Sequence, residues 1–174
     1  MNVPILLLDA AWRVDRVIAS DRAVELIASG RVVAASEELA AVYHSPSTVI
    51  EVPSVIARVG GVVGPARGLS CSHRRVRIRD HFECQFVIAG VPCRRRGDSV
   101  DHLQPRSLGG PSTWANLVAA CTMCNGTKGD TPFSVMALRH GWALRREPHV
   151  PSLASIILAS TRPRPGWEPY LRAA

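Results

Sequence analysis

The sequence predicts an α+β protein, a small α/β module followed by a basic, cysteine-bearing segment with a helical end. Three observations predict it. The N-terminal part combines the apolar run Pro4-Ile5-Leu6-Leu7-Leu8 with β-branched runs and one stretch of helical periodicity. Gly60, Gly61, Gly64, Pro65 and Gly68 then interrupt the pattern as a joint. Beyond the joint the charge changes sign: residues 1–70 hold six arginines against seven acids (net −1), and residues 71–174 hold fourteen arginines and Lys128 against seven acids (net +8). A chain of 174 residues supports one good core, or a small domain with an extension, but not two full-sized domains. The expected division is an N-terminal α/β module over 1–70, a compact core over 71–135, and a helical extension with a tail over 136–174.

Residues 3–8 read as a buried strand, because unbroken apolar residues suit a strand covered on both faces. Asp9 and Arg13 cut the run short and no positive segment precedes it, so neither a secretory signal nor a membrane span is expected. Ser20 or Asp21 caps a helix reaching Ser29, with Ala23, Leu26 and Ile27 as its inward stripe and Gly30 as its stop. Residues 31–35 and 48–52, bounded by turn formers and rich in valine, read as strands. After the joint, His73 to Arg79 alternate, which reads as a strand with Arg75, Arg77 and Arg79 on one face and Val76 and Ile78 on the other. Those guanidinium groups either follow a phosphate backbone or form a solvated face, and the loop cluster Arg94-Arg95-Arg96 poses the same alternatives. Residues 132–140 read as a helix burying Phe133, Met136 and Ala137, and residues 152–159 as another. The proline-rich residues 162–169 read as an extended tail held to the body by Trp167 and Tyr170.

The positive field of residues 71–174 favours a polyanionic partner, nucleic acid above all, although a basic surface can serve solubility alone. Cys71, Cys84, Cys93, Cys121 and Cys124 lie in the same segment, which favours metal binding in a reducing, cytoplasmic compartment over disulfides. Cys121 and Cys124 have knuckle spacing. Eight residues separate Cys84 from Cys93, so residues 85–92 must fold back for four thiolates to reach one tetrahedral structural Zn²⁺. His81 is the reserve ligand, and reduced core cysteines or a redox pair are the alternative. Cys71 reads as a small apolar core residue.

Between the two pairs stands Asp101-His102, at the end of what Ser99-Val100 begins as a short strand. Neighbours on a strand face opposite ways, so the strand must end or bulge there for both to serve one site. In the functional reading Asp101 ligates a divalent cation and neutral His102 takes a proton from water; the alternative is a surface aspartate beside a structural histidine. The glycine-bearing loop with Gly109-Gly110, then Asn116, then the second cysteine pair give an order suited to holding one cation against a phosphodiester.

From Arg79-Asp80 through Cys84, Cys93, Val100-Asp101-His102, Pro105-Arg106-Ser107, Gly109-Gly110, Trp114-Ala115-Asn116-Leu117-Val118, Cys121-x2-Cys124-Asn125 and Lys128-Gly129-Asp130, the chain resembles the HNH endonuclease family. The resemblance implies a ββα-metal (His-Me finger) core, two short strands joined by a loop and closed by a helix. It implies His102 as general base, Asn116 as the brace of the loop that orients it, and Asp101 with Asn125 as ligands of the catalytic cation. Lys128 on the helix is then expected to meet a phosphate, together with Arg75, Arg77, Arg79 and Arg106. Val87 stands where many zinc-bearing members have their second cysteine, so Cys93 has to substitute. Asn125 offers an amide oxygen in place of imidazole, which favours Mg²⁺ or Mn²⁺. A weaker pattern, Ile5-Leu6-Leu7-Leu8-Asp9 with Arg22-Ala23-Val24-Glu25-Leu26 and Gly30-Arg31, resembles the leading region of free-standing bacterial and phage members.

The implied function is a metal-dependent endonuclease hydrolysing DNA phosphodiester bonds to 5′-phosphate and 3′-hydroxyl ends, with double-stranded DNA as partner, no membrane, and a homodimer as one route to a double-strand break. The alternative is a non-catalytic, zinc-stabilised nucleic-acid-binding module, and Asp101, His102, Asn116 and Asn125 discriminate between them. RNA as substrate is a third reading. No base-reading helix code is visible.

Overall fold

The computed structural model describes residues 2–61 and 69–172, so Gly64, Pro65 and Gly68 of the joint lie outside the described residues. In chain order the elements are β1 (Pro4–Leu8), β2 (Val14–Ala19), α1 (Ser20–Ala28), β3 (Val32–Ala34), β4 (Leu39–His44), β5 (Val49–Pro53), β6 (Val55–Arg58), α2 (His73–Arg79), β7 (Phe86–Ile88) and β8 (Val91–Pro92). There follow β9 (Ser99–His102), β10 (Leu117–Ala120), α3 (Thr122–Lys128), α4 (Phe133–His140), β11 (Trp142–Leu144), α5 (Leu153–Ser160) and α6 (Glu168–Arg172). No helix among the described residues is long and apolar enough to cross a membrane. The chain is α+β and divides into two compact units, Met1–Gly68 with Ser152–Ala174, and Leu69–Pro151.

The first unit is built on a four-stranded sheet ordered β2-β1-β6-β3. β1 runs antiparallel to β2 and parallel to β6, so both its edges are paired, and its two faces enter different apolar clusters. Leu6 and Leu8 enter one apolar cluster with Val55, Ala57, Ala154 and Ile157. Ile5 and Leu7 enter another with Ala23 and Leu26 of α1. This is why residues 4–8 are apolar without alternation. Ser20 does not cap α1, since the residue ahead of the helix is Ala19 and gives no side-chain cap. Ser20 instead opens the helix, buried, with its Oγ accepting the Val3 N–H at 3.1 Å.

The segment read as an extended tail is tied into this first unit. Trp167 is wholly buried and its Nε1 donates to the Ser54 carbonyl at 2.8 Å, while Ser54 Oγ donates to the Pro165 carbonyl at 2.6 Å. Tyr170 OH donates to the Ala35 carbonyl, and a final helical turn, α6, follows Trp167. Residues 136–151 accordingly go with the cysteine-bearing unit and 152–174 with the N-terminal one, a different division from the single extension read in the sequence.

In the second unit, residues 73–79 are a helix and not the strand their alternation suggests. Ser72 caps it by accepting the Arg75 N–H, a device that a strand reading overlooks. Val76 packs against Trp114 and Leu117, which fixes α2 against β10. Arg79 thereby leaves the surface. Its side chain is 1 % exposed and makes a two-point pair with Asp80, Nε to Oδ1 at 2.7 Å and Nη2 to Oδ2 at 2.9 Å. It also donates to the carbonyls of Trp114 (2.9 Å) and Leu117 (2.7 Å), and Asp80 Oδ2 accepts the Ala119 N–H at 2.8 Å. The expectation that Arg79 meets phosphate is therefore corrected: it is an internal brace. Replacing Arg79 by Met strands a buried carboxylate, and we expect a loss of about 3–5 kcal/mol in the unfolding free energy of this unit. Denaturant unfolding of Arg79→Met beside wild type measures it, and equal midpoints would contradict the bracing role.

Candidate active site and cysteine cluster

β9 and β10 run antiparallel with Asp101 opposite Val118 and His102 opposite Leu117. β9 ends at His102, so the chain leaves the strand there, and Asp101 and His102 line one open cleft of about 510 Å³. Arg106, Asn125, Lys128 and Asp130 share its lining. Strand alternation puts Ser99 on the Asp101 side. Asn125, on α3, donates from Nδ2 to Ser99 Oγ at 3.0 Å, which seats the helix across β9.

Asp101 is buried, with one oxygen paired and one not. Oδ1 lies 3.2 Å from Lys128 Nζ, whereas Oδ2 is buried without any hydrogen-bond partner. Burial raises the Asp101 pKa above the usual carboxylate value, against the opposing pull of the Lys128 ammonium. Lys128, read from the sequence as a phosphate contact, is itself only 2 % exposed and reaches inward. His102 is half-buried, and its Nε2 lies 3.0 Å from Ser112 Oγ. Burial first, then the positive charge of Arg106 and Lys128, hold its pKa below the ordinary imidazole value, which favours the neutral ring.

Asn116 precedes β10 and uses both ends of its amide on the intervening loop. Oδ1 accepts the Gln104 N–H at 2.8 Å, and Nδ2 donates to the carbonyls of Gln104 (3.1 Å) and Pro111 (2.9 Å). That closes residues 104–111 into a fixed loop beside His102. Gly110 shows how tight the closure is, since a Cβ there would stand 1.8 Å from the Gln104 carbonyl oxygen. Sequence reading missed Ser99 and Ser112. Ser99 carried a usable signal, its place two residues before Asp101 on one strand; Ser112 carried none.

Of the arginines expected to face nucleic acid, Arg106 lines the cleft on a single 3₁₀ turn (Arg106–Leu108). Arg75 and Arg77 sit half-buried on α2, donating to the carbonyls of Ser70 (3.0 Å) and Asp98 (3.3 Å). Arg94, Arg95 and Arg96 are exposed.

The four sulfur atoms of Cys84, Cys93, Cys121 and Cys124 all lie within 4.8 Å of one another, with Cys93 and Cys121 at 3.9 Å. Tetrahedral Zn–S bonds of about 2.3 Å would set sulfurs about 3.8 Å apart, so the cluster is compatible with a zinc site. The wide first spacing is closed by a hairpin: β7 pairs with β8 through Ala89-Gly90, both at positive φ (48° and 77°), and Cys93 N–H donates back to the Phe86 carbonyl at 2.9 Å. Burial raises the thiol pKa of Cys84 and Cys124. At Cys121 burial is outweighed by hydrogen bonds from the Cys124 N–H and neighbouring thiols, which lower it. His81 does not join the cluster. Cys71 stands apart, packed beside Val76 and Trp114.

Two antiparallel strands, a braced loop and a following helix around a carboxylate and a histidine are the arrangement of a ββα-metal nuclease. The family model for HNH endonuclease matches residues 83–131, and that for the HNH endonuclease-associated N-terminal domain matches residues 5–59. The chain therefore carries an HNH endonuclease domain preceded by the N-terminal domain associated with that family. It is similar to the CRISPR-associated endonuclease Cas9 of Corynebacterium diphtheriae, 42 % identical over 55 residues, which are 31 % of this chain and 5 % of that protein. No solved structure matches it. Elemental analysis is expected to find one zinc per chain in the wild type and in His81→Ala, and none in Cys93→Ser. Full zinc content in Cys93→Ser would remove Cys93 from the ligand set.

Proposed function

We propose that this chain is a metal-dependent endonuclease hydrolysing DNA phosphodiester bonds to 5′-phosphate and 3′-hydroxyl ends. One observation carries the reading: a buried, partnerless carboxylate oxygen, Asp101 Oδ2, on a cleft shared with His102 and Asn125. A buried polar atom left unpaired costs about 1–3 kcal/mol. A hard divalent cation is the ligand whose charge and preference for oxygen match it. Asp101 and Asn125 would hold Mg²⁺ or Mn²⁺, which when bound supplies positive charge beside the reacting phosphate.

The remaining roles fall to the chain's own groups. Ser112 Oγ engages Nε2 of His102, so Nδ1 is the nitrogen left to take the proton from the attacking water. A ring whose neutral form is favoured by burial and by the neighbouring cations Arg106 and Lys128 suits that task. Asn116 keeps the loop that carries Ser112 in place and so orients the histidine. Arg106 beside the cleft, with Arg75, Arg77 and the exposed Arg94, Arg95 and Arg96, gives a positive face for the phosphates of double-stranded DNA. The family match supports phosphodiester hydrolysis. A double-strand break from one such centre calls for two copies or two successive nicks, and a homodimer would supply the former.

Purified, zinc-loaded protein is incubated with supercoiled plasmid in Mg²⁺ or Mn²⁺ beside His102→Ala. We expect nicking or linearisation by the wild type, products that ligase can reseal, and a rate at least about 10²-fold lower in the variant. Plasmid binding without cutting under either ion would overturn the proposal in favour of a zinc-stabilised binding module.

A further inference from the structure

We infer that Lys128 is the resident counter-ion of the cation site: its ammonium holds the Asp101 carboxylate and must give way before a divalent cation binds, so it sets the affinity of that site. The inference rests on the reading of Asp101 and Asn125 as cation ligands.

Lys128 closes α3, and its side chain is only 1 % exposed. Nζ lies 3.2 Å from Asp101 Oδ1 and also donates to the Gly129 carbonyl at 3.1 Å. An ammonium held this far inside is poorly placed to search for phosphate, yet it lies against the one carboxylate of the cleft that is buried. Two positive charges cannot share that carboxylate cheaply in a cleft of low polarisability. The residue type is informative too. Every other cationic side chain of the sequence is an arginine. A guanidinium would fork onto both carboxylate oxygens and lock there, whereas an ammonium on a flexible stem takes one oxygen, leaves Oδ2 open, and can withdraw.

Because Lys128 is the sole lysine, ¹⁵N-lysine labelling of the zinc-loaded protein yields one side-chain ammonium signal. Titration with Mg²⁺ is expected to move that signal saturably in the wild type. Mn²⁺ affinity is read in parallel by electron paramagnetic resonance at pH 8. We expect Lys128→Met to bind Mn²⁺ at least about tenfold more tightly than wild type, Lys128→Arg to bind it no more tightly, and Asp101→Ala to lose the site. A wild type that binds Mn²⁺ saturably while Mg²⁺ leaves the ammonium signal unmoved overturns the inference, as does a folded Lys128→Met with unchanged or weaker affinity; the cation site then stands. No saturable Mn²⁺ in the wild type overturns both. If Lys128→Met loses its zinc or its fold, the wild-type titration decides.

Discussion

The guanidinium of Arg79, enclosed by protein and fully bonded, is the constraint on which the geometry of the second unit rests. It pairs with Asp80 and donates to the carbonyls of Trp114, Leu117 and His149, while Asp80 holds the Ala119 N–H. Those contacts straddle Asn116, so the residue that fastens the loop is itself pinned from both sides. A buried ion pair is seldom a net stabiliser when compared with apolar residues of the same volume. Its value here is position. α2, β10 and the loop before it are held in one register, and the cleft inherits that register.

The cysteine cluster adds a second kind of rigidity. Residues 69–151 make a small unit, and small units often need a metal to complete what a modest apolar core cannot. The four sulfurs gather the β7–β8 hairpin and the start of α3. Cys121 and Cys124 open that helix and Asn125 follows directly, so whatever fixes the thiolates also fixes the amide facing the cleft. The soft-ligand cysteine cluster and the proposed hard-ligand cation site thus share one short helix. Thiolate and carboxylate oxygen prefer different ions, which would let the two sites coexist without exchanging their occupants.

Much of this was legible in the sequence, and the exceptions have physical causes. The unbroken apolar run Pro4–Leu8 read as a buried strand, and the two apolar clusters on its opposite faces bear that out. Cysteine spacing indicated that residues 85–92 fold back if Cys84 and Cys93 are to share one site, and the β7–β8 hairpin is that return. Residues 73–79 misled because the five residues Arg75-Val76-Arg77-Ile78-Arg79 alternate and fit a strand period locally, while the Ser72 cap and the long-range contacts of Arg79 decide for helix. The inward turn of Lys128 was equally hidden: a cation at a helix end is ordinarily solvated, and nothing local announces a partner twenty-seven residues earlier. The anchoring of the tail by Trp167 was legible, but its acceptor, Ser54, was not, being distant in sequence.

Lys128, the single lysine of the sequence, faces inward. The positive charge that this chain presents to solvent is guanidinium, with no surface ammonium among the described residues. Guanidinium stays protonated throughout the range in which proteins remain folded, and acylating chemistry that neutralises lysine finds no target on that face. The arginine contribution to any attraction for a polyanion is therefore insensitive to lysine acetylation and to loss of the cations' own protons. Ionic strength, or a change to arginine itself, tunes that contribution.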